Sequence, residues 1–316
     1  MIEKEYVIKR LTKSRLKDVL PLFKLAFNLE ISLDEFNDKY STGKLLEDYI
    51  GFCAYLDDEC VAFVGAIPHR IQFENQNLLA VQIGDVMTNP KHLRAGLFVK
   101  LAKLNFDYCN SLGVQIIYGF PNLKSKPGFK KRLGWKFDDE LHCRIVNVNC
   151  IPLHSVALRF PVFNRVVSKF RKFILSTFLE TEIRGFKSIA SEANNYGVIK
   201  DEDYLSYKIK NKKQFFISVL NKIVWVKLTE VYMLVGDIED CSKDEFHEIL
   251  SKLKRICFIL GIPHLRFNVS GNSKFMNYLN EVTQDDPRKY AIGYLVFDDE
   301  IDMKKVAFTL ADNDTF

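Results

Sequence analysis

The sequence predicts an α/β (α+β) fold, a mixed and mostly antiparallel sheet flanked by helices, present twice along the chain. Three observations lead there. The first half alternates extended runs with amphipathic helices in the order β-α-α-β-β-β-α-β-α-β, which suits a sheet covered by helices. A glycine-containing turn joins one of those strands directly to a helix. The second half then repeats the order strand, helix, glycine, strand.

Each element has a local reason. Tyr6 to Leu11 alternates as a strand, and Lys17 to Phe27 carries helical spacing. Ser32, with Glu35 three residues on, has the capping-box pattern of a second helix. Phe52–Leu56 and Cys60–His69 read as a hairpin about Asp57-Asp58-Glu59, followed by a strand from Leu78 into Met87. Asn89-Pro90 ends that strand. The turn Arg94-Ala95-Gly96 leads into a helix whose Leu97, Leu101, Leu104 and Tyr108 recur at three- and four-residue spacing. Val114 to Phe120 is the next extended run.

The turn before Leu97 is the first candidate site. A helix N-terminus has N–H groups without intrahelical partners and the positive end of the helix dipole, so it can hold a phosphate. Gly96 removes a Cβ where a phosphate would approach the backbone. His92 and Arg94 add donors, and Lys91 and Lys100 add positive charge. An ordinary strand–helix turn with surface lysines is the alternative, because a lone glycine turn is a weak signal.

Taken whole, the segment Gly84–Trp135 resembles the GNAT N-acetyltransferase superfamily. In that family a [Gln/Arg]-x-x-Gly-x-[Gly/Ala] motif follows the fourth strand and its amides bind the coenzyme A pyrophosphate. The matching residues are Leu93, Arg94, Ala95, Gly96, Leu97 and Phe98, with Leu93 in place of Gln or Arg and Phe98 in place of the small residue. Gly119-Phe120-Pro121-Asn122 and Phe129 to Trp135 look like the family's fifth strand, the helix after it and its closing Gly-Trp. The resemblance covers about residues 5–148. It implies acetyl-CoA (coenzyme A) as acyl donor, with the backbone of Val86, Met87 and Thr88 along the pantetheine arm and thioester carbonyl. Asn122 and Ser125 are further expected contacts to that arm, or else turn and helix caps. Where many members carry a thiolate-protonating tyrosine, this chain has Phe129, which leaves Tyr118 on the strand as the candidate phenol.

Amine acetylation needs a neutral amine, a proton acceptor and donors that polarise the carbonyl. Asp85 is the first candidate for the base or amine-positioning carboxylate, with a structural role at a strand bulge as the alternative. His69, His142 and Glu140 are weaker candidates.

The second half aligns Val231–Asp237 with Leu79–Asp85, each followed by a helix, a glycine (Gly261 or Gly113) and a strand. Its turn, Ile238 to Glu245, has no glycine and carries Glu239, Asp240, Asp244 and Glu245, which would repel a pyrophosphate. It therefore reads as a degenerate second domain without the cofactor loop. The expected organisation is a cofactor-binding domain at 1–150, a basic and aromatic helical linker at 151–200, and the degenerate domain at 201–316.

In the linker, residues 156–179 hold Arg159, Arg165, Lys169, Arg171 and Lys172 among many Phe and Val residues, with no acidic residue. This is a basic amphipathic pattern that can lie on an anionic membrane surface, or a linker helix packed between domains. The tail, with Asp312, Asp314 and the carboxylate of Phe316, can cover a cleft and bind an amine, or fray.

Composition sets the frame. The chain has 316 residues, 47% of them apolar including 26 Phe, which argues against disorder. A net charge of +5 does not by itself imply nucleic acid, and the expected partner is a small-molecule amine. Seven cysteines without a Cys-x-x-Cys pair read as reduced thiols. With no signal-peptide pattern and no bilayer-spanning run, the expected location is cytoplasmic. The acceptor class that the resemblance implies is an amino sugar or nucleotide-linked sugar of surface polysaccharide synthesis. A peptidoglycan-bridge-type aminoacyl transferase and a non-catalytic coenzyme A-binding protein are the alternatives.

Overall fold

The computed structural model describes residues 5–151, 153, 159–160, 162–180, 182, 184–191, 196–210 and 214–316. In chain order the elements are β1 (Val7–Arg10), α1 (Leu16–Phe27), α2 (Leu33–Tyr40), β2 (Gly51–Leu56), β3 (Glu59–Phe73), β4 (Gln76–Thr88), α3 (Leu97–Ser111), β5 (Ile116–Gly119), α4 (Lys126–Leu133) and β6 (Lys136–Asn147). They continue with α5 (Val162–Ser176), β7 (Gly197–Val198), α6 (Glu202–Lys208), β8 (Gln214–Val219), β9 (Lys222–Leu228), β10 (Tyr232–Ile238), α7 (Lys243–Leu260), β11 (His264–Ser270), α8 (Lys274–Val282) and β12 (Gln284–Val296). The expected element order of the first half is the observed one, and the sheet is mixed and mostly antiparallel.

Two compact units form, each drawn from two stretches of the chain. One comprises residues 1–138 and 291–303, the other 139–290 and 304–316. The sequence alone predicts three consecutive segments divided near 150 and 200. The units differ from these because strands, not chain order, complete each sheet. Strand β5 takes the C-terminal half of β12 as its antiparallel neighbour (Tyr294 opposite Tyr118), whereas β11 takes β6 (Phe267 opposite Arg144). The described residues between 151 and 200, α5 among them, likewise group with the second unit rather than forming a separate linker, and the rest of that expected linker lies outside the described residues.

In the first unit the strand order is β1-β2-β3-β4-β5-β12. The β2–β3 turn is made by Asp57 and Asp58, both at positive φ (48° and 63°), the geometry that matches strand twist in a two-residue hairpin. Ser32 and Glu35 form the capping box that their spacing predicts. One sheet face, with Ala54, Ala62, Val64, Ala66, Val81, Ile83 and Ile117, packs on Leu97, Leu101 and Phe106 of α3 and on Phe129 and Leu133 of α4.

The β3–β4 register shifts between Val64↔Val86 and Ala66↔Ile83, a bulge at Gly84-Asp85. Side chains alternate along a strand, so one extra residue reverses the faces beyond it. Val86 therefore joins Val81 and Ile83 against α3, while Asp85 turns to the other face, where α2 meets it.

The second unit has the order β6-β11-β10-β9-β8, with β10 parallel to β11 as β4 is to β5. Its β10 is also bulged, between Val235 and Asp237. The paired features support the expected duplication. Helix α5 docks through Val167, Arg171 and Leu175, which are buried. The Arg171 guanidinium donates to the carbonyls of Leu260 (2.9 Å) and Gly261 (3.0 Å) at the end of α7, and to those of Glu230 (3.1 Å) and Thr229 (3.4 Å). Arg171→Ala strands these carbonyls, so urea denaturation should show a loss of about 2–3 kcal/mol.

The tail is not frayed. Asp312 and Phe316 are buried in the second unit, and the ring of Phe316 lies over Gly236 at the β10 bulge, where any Cβ would collide with it. Six of the seven cysteines are buried, with Cys150 half-buried. Among the described residues no helix is long and apolar enough to cross a membrane.

Candidate functional site

Strands β4 and β5 pair in parallel at Ala80↔Ile116, Val81↔Ile117 and Gln82↔Tyr118, and the ladder stops there. Beyond it, Val86, Met87 and Thr88 pair only with β3, opposite Val64, Phe63 and Ala62. Met87 is buried, while Val86 and Thr88 are half-buried. The sheet therefore opens after Gln82, and the opening leads towards the start of α3.

The turn between β4 and α3 begins with a short 3-10 segment, Pro90–His92, which the Asn89 side chain caps by accepting from the Lys91 N–H (3.0 Å). Arg94 has φ +69° and Gly96 φ +73°. A left-handed arginine costs on the order of 1–2 kcal/mol, the kind of strain that collects at binding sites. Gly96 is the N-cap of α3, no side chain caps the helix, and a Cβ there would meet nothing within 4 Å. Leu93, Arg94, Ala95 and Gly96 are all exposed. The first amides of α3 thus have no side-chain cap, and the positive end of the helix dipole lies at an exposed turn. Leu97 is buried in the core, so only its backbone can serve a ligand.

The second unit makes the contrast. At the same place α7 starts with Ser242, whose hydroxyl accepts from the Glu245 N–H while the Glu245 carboxylate accepts from the Ser242 N–H. Asp244 and Glu245 occupy the first turn. Those two N–H groups are spent, whereas the charge differs from the expectation: Glu239 is paired with Arg184 (2.8 Å) and Asp240 with Lys274 (2.6 Å), so neighbouring cations offset the acidic run.

Several expected site residues have other tasks. The Phe129 ring is buried, 5.1 Å from Phe98 and 4.3 Å from Trp135 between centroids, so it is core rather than a coenzyme contact. Phe98 also fills the space above Gly128, where a Cβ would come within 2.9 Å of its ring, which lets α4 approach α3. Asn122 caps its own turn: its side-chain oxygen accepts from the N–H groups of Lys124 and Ser125, both at 3.0 Å. Ser125 is the N-cap residue of α4 but makes no side-chain cap bond to it. His92 is turned inward, its Nδ1 3.0 Å from the Tyr6 hydroxyl, and so is not a donor for the turn. His142 and Glu140 belong to the second unit.

The other sheet face holds a buried polar group. Asp85 accepts from the Tyr40 hydroxyl (2.9 Å) and is paired with the Lys39 ammonium (2.9 Å). Tyr40 reaches it by lying on Gly65, where a Cβ would overlap the phenol. Asp85 thus ties α2 to the bulge, which is its structural alternative. Tyr118 is fully buried, and its hydroxyl is hydrogen-bonded to His69 Nδ1. Lys39 and Tyr40 carried no sequence signal, since their shared partner Asp85 is far away in sequence, 45 positions from Tyr40.

Residues 7–137 match the acetyltransferase (GNAT) domain. The fold is similar to that of a GCN5-related N-acetyltransferase from Kribbella flavida, at 14% identity and a TM-score of 0.62, covering 93% of this chain and 72% of that one. A GCN5-related N-acetyltransferase from Anabaena variabilis ATCC 29413 is similar at 9% identity and a TM-score of 0.57, covering 93% and 73%. A GCN5-related glucosamine N-acetyltransferase region of a fungal multi-domain GH3 β-N-acetylglucosaminidase is similar at 11% identity and a TM-score of 0.51, covering 93% and 38%. No curated protein matches the sequence.

Proposed function

Because residues 7–137 belong to the GNAT acetyltransferase family, we propose that the chain transfers an acetyl group from acetyl-CoA to the primary amine of a small acceptor, an amino sugar or nucleotide-linked sugar. One observation carries the donor half: the uncapped N-terminus of α3, with its strained Arg94-Ala95-Gly96 turn, stands beside a β4 that has parted from β5. The amides of Gly96, Leu97 and Phe98 hold the diphosphate, and Arg94 adds a cation beside it. The backbone of Val86, Met87 and Thr88 lines the pantetheine arm and aligns the thioester carbonyl. Acetyl-CoA supplies the activated acetyl group.

On the opposite face, the His69–Tyr118 pair at the last β4–β5 contact is the proposed store for the proton that leaves the amine and returns to the thiolate. Asp85 holds the bulge in place through Lys39 and Tyr40. The amino-sugar class draws support from the fungal glucosamine N-acetyltransferase region of the same fold.

Titration calorimetry with coenzyme A, followed by thiol release from acetyl-CoA over a panel of amines including glucosamine, tests this reading. Absence of heat from a folded protein rejects the donor assignment. Tyr118→Phe should lower kcat by about 10²-fold with coenzyme affinity unchanged. An unaltered kcat removes the phenol from the reaction.

A further inference from the structure

Helix α5 docks on the second unit by a narrow stripe and leaves a broad apolar stripe uncovered. Its buried contacts, Val167, Arg171 and Leu175, recur every four residues. Phe163, Val166, Phe170 and Phe173 share a neighbouring stripe at three- and four-residue spacing and are 50%, 60%, 38% and 67% exposed. Beside them on the outward arc stand Arg165, Lys169 and Lys172, also exposed. No acidic residue occurs between Val162 and Ser176. Phe160, just before the helix, is exposed as well. So are Phe258 and Ile259 on the last turn of α7, whose terminal carbonyls Arg171 binds.

An ordinary surface helix hides its apolar stripe and shows its polar one; α5 shows both. Large aromatics alone would suit many partners. Their alignment with a purely cationic row selects a partner that is greasy below and anionic above.

From this arrangement we infer that α5 is a docking face for anionic lipid bilayers, lying in the headgroup plane with its four apolar side chains inserted and Arg165, Lys169 and Lys172 among the lipid phosphates. Such helices bind by buried apolar area plus attraction to acidic lipid, and salt weakens the second part. Arg171 takes no part, because its guanidinium is committed to the α7 carbonyls.

Flotation of the full chain with phosphatidylcholine vesicles, and with vesicles that also contain phosphatidylglycerol, tests the inference. The expected result is binding to the acidic vesicles alone, weakened by salt. Lys169→Glu with Lys172→Glu should lower the partition coefficient about tenfold or more, and so should Phe170→Ser with Phe173→Ser. The same charge change at exposed Lys13 and Lys103 should have a far smaller effect. Circular dichroism checks that each variant is folded, and the salt and lipid comparison on the unaltered chain stands whatever the variants do. Failure to bind acidic vesicles at low salt overturns the inference. Binding that ignores both double variants does the same. So does a concentration-dependent dimer that Phe170→Ser with Phe173→Ser abolishes without any lipid binding, since the stripe then belongs to a second copy.

Discussion

Replacing Lys200 with methionine should cost the second unit about 3–5 kcal/mol, measured by urea denaturation followed through circular dichroism. The ammonium lies 2.8 Å from Asp237 and 2.9 Å from Asp312, and all three side chains are buried. Burial alone would drive the lysine pKa down, but the two carboxylates more than reverse this and raise it, so the lysine stays charged. Ser188 donates to the remaining oxygen of Asp237 (2.9 Å), and Asp312 also accepts from the Thr309 N–H (2.7 Å).

Methionine conserves volume and leaves two carboxylates facing each other away from water. The Asp237 carboxyl pKa is already raised, chiefly by burial, with Lys200 opposing that effect. Without the ammonium, burial and mutual repulsion act unopposed. A carboxyl whose folded pKa exceeds its unfolded one favours the folded state when protonated. Stability of the variant should therefore fall as pH rises above the unfolded carboxylate range, and the deficit should be smallest in mild acid. Adding Asp237→Asn and Asp312→Asn should recover much of the loss. A Lys200→Met protein within 1 kcal/mol of the parent at neutral pH would refute the account. The tail is part of the same unit, so trimming it should resemble losing Lys200 rather than altering an acceptor site.

The second large effect is on the coenzyme. Gly96→Asp should weaken coenzyme A binding tenfold or more, about 1.4 kcal/mol or greater, with the circular dichroism spectrum retained. A Cβ at Gly96 meets nothing within 4 Å, so the fold has room for it. The positive φ still charges about 1 kcal/mol for any non-glycine residue. Gly134 supplies a matched control, with φ +71° and equally open space around its Cβ position. Gly134→Asp carries the same backbone strain and charge, yet caps α4 away from the turn. Calorimetry should show full coenzyme affinity for that variant. Equal losses at the two glycines would mean that strain, not the phosphate cradle, is being read.

Much of the first unit was legible because its signals are local. The Ser32–Glu35 box, the Asp57-Asp58 turn, the run into Asn89-Pro90 and the helix after Gly96 each depend on residues a few positions apart. The glycine-free, carboxylate-rich start of the second turn was legible for the same reason, since Glu239, Asp240, Asp244 and Glu245 lie close together in sequence. The fates of Phe129, Asn122 and His92 were less so. Motif position put them near a ligand, whereas packing against Trp135, a self-capping turn and the Tyr6 hydroxyl claimed them.

By itself, then, the amino-acid order determined the elements from β1 to β6, the repeated strand–helix–strand pattern and the difference between a helix start with a glycine turn and one without. Those properties come from backbone preference and short-range hydrogen bonding. Tertiary structure alone decided that β12 completes the first sheet and β6 the second, that a bulge turns Asp85 towards Tyr40 and Lys39, and that Lys200 neutralises two distant carboxylates. Such partners are chosen when the cores close. A buried charge or an unpaired strand edge takes whichever group the packed chain brings within reach, at whatever separation in sequence.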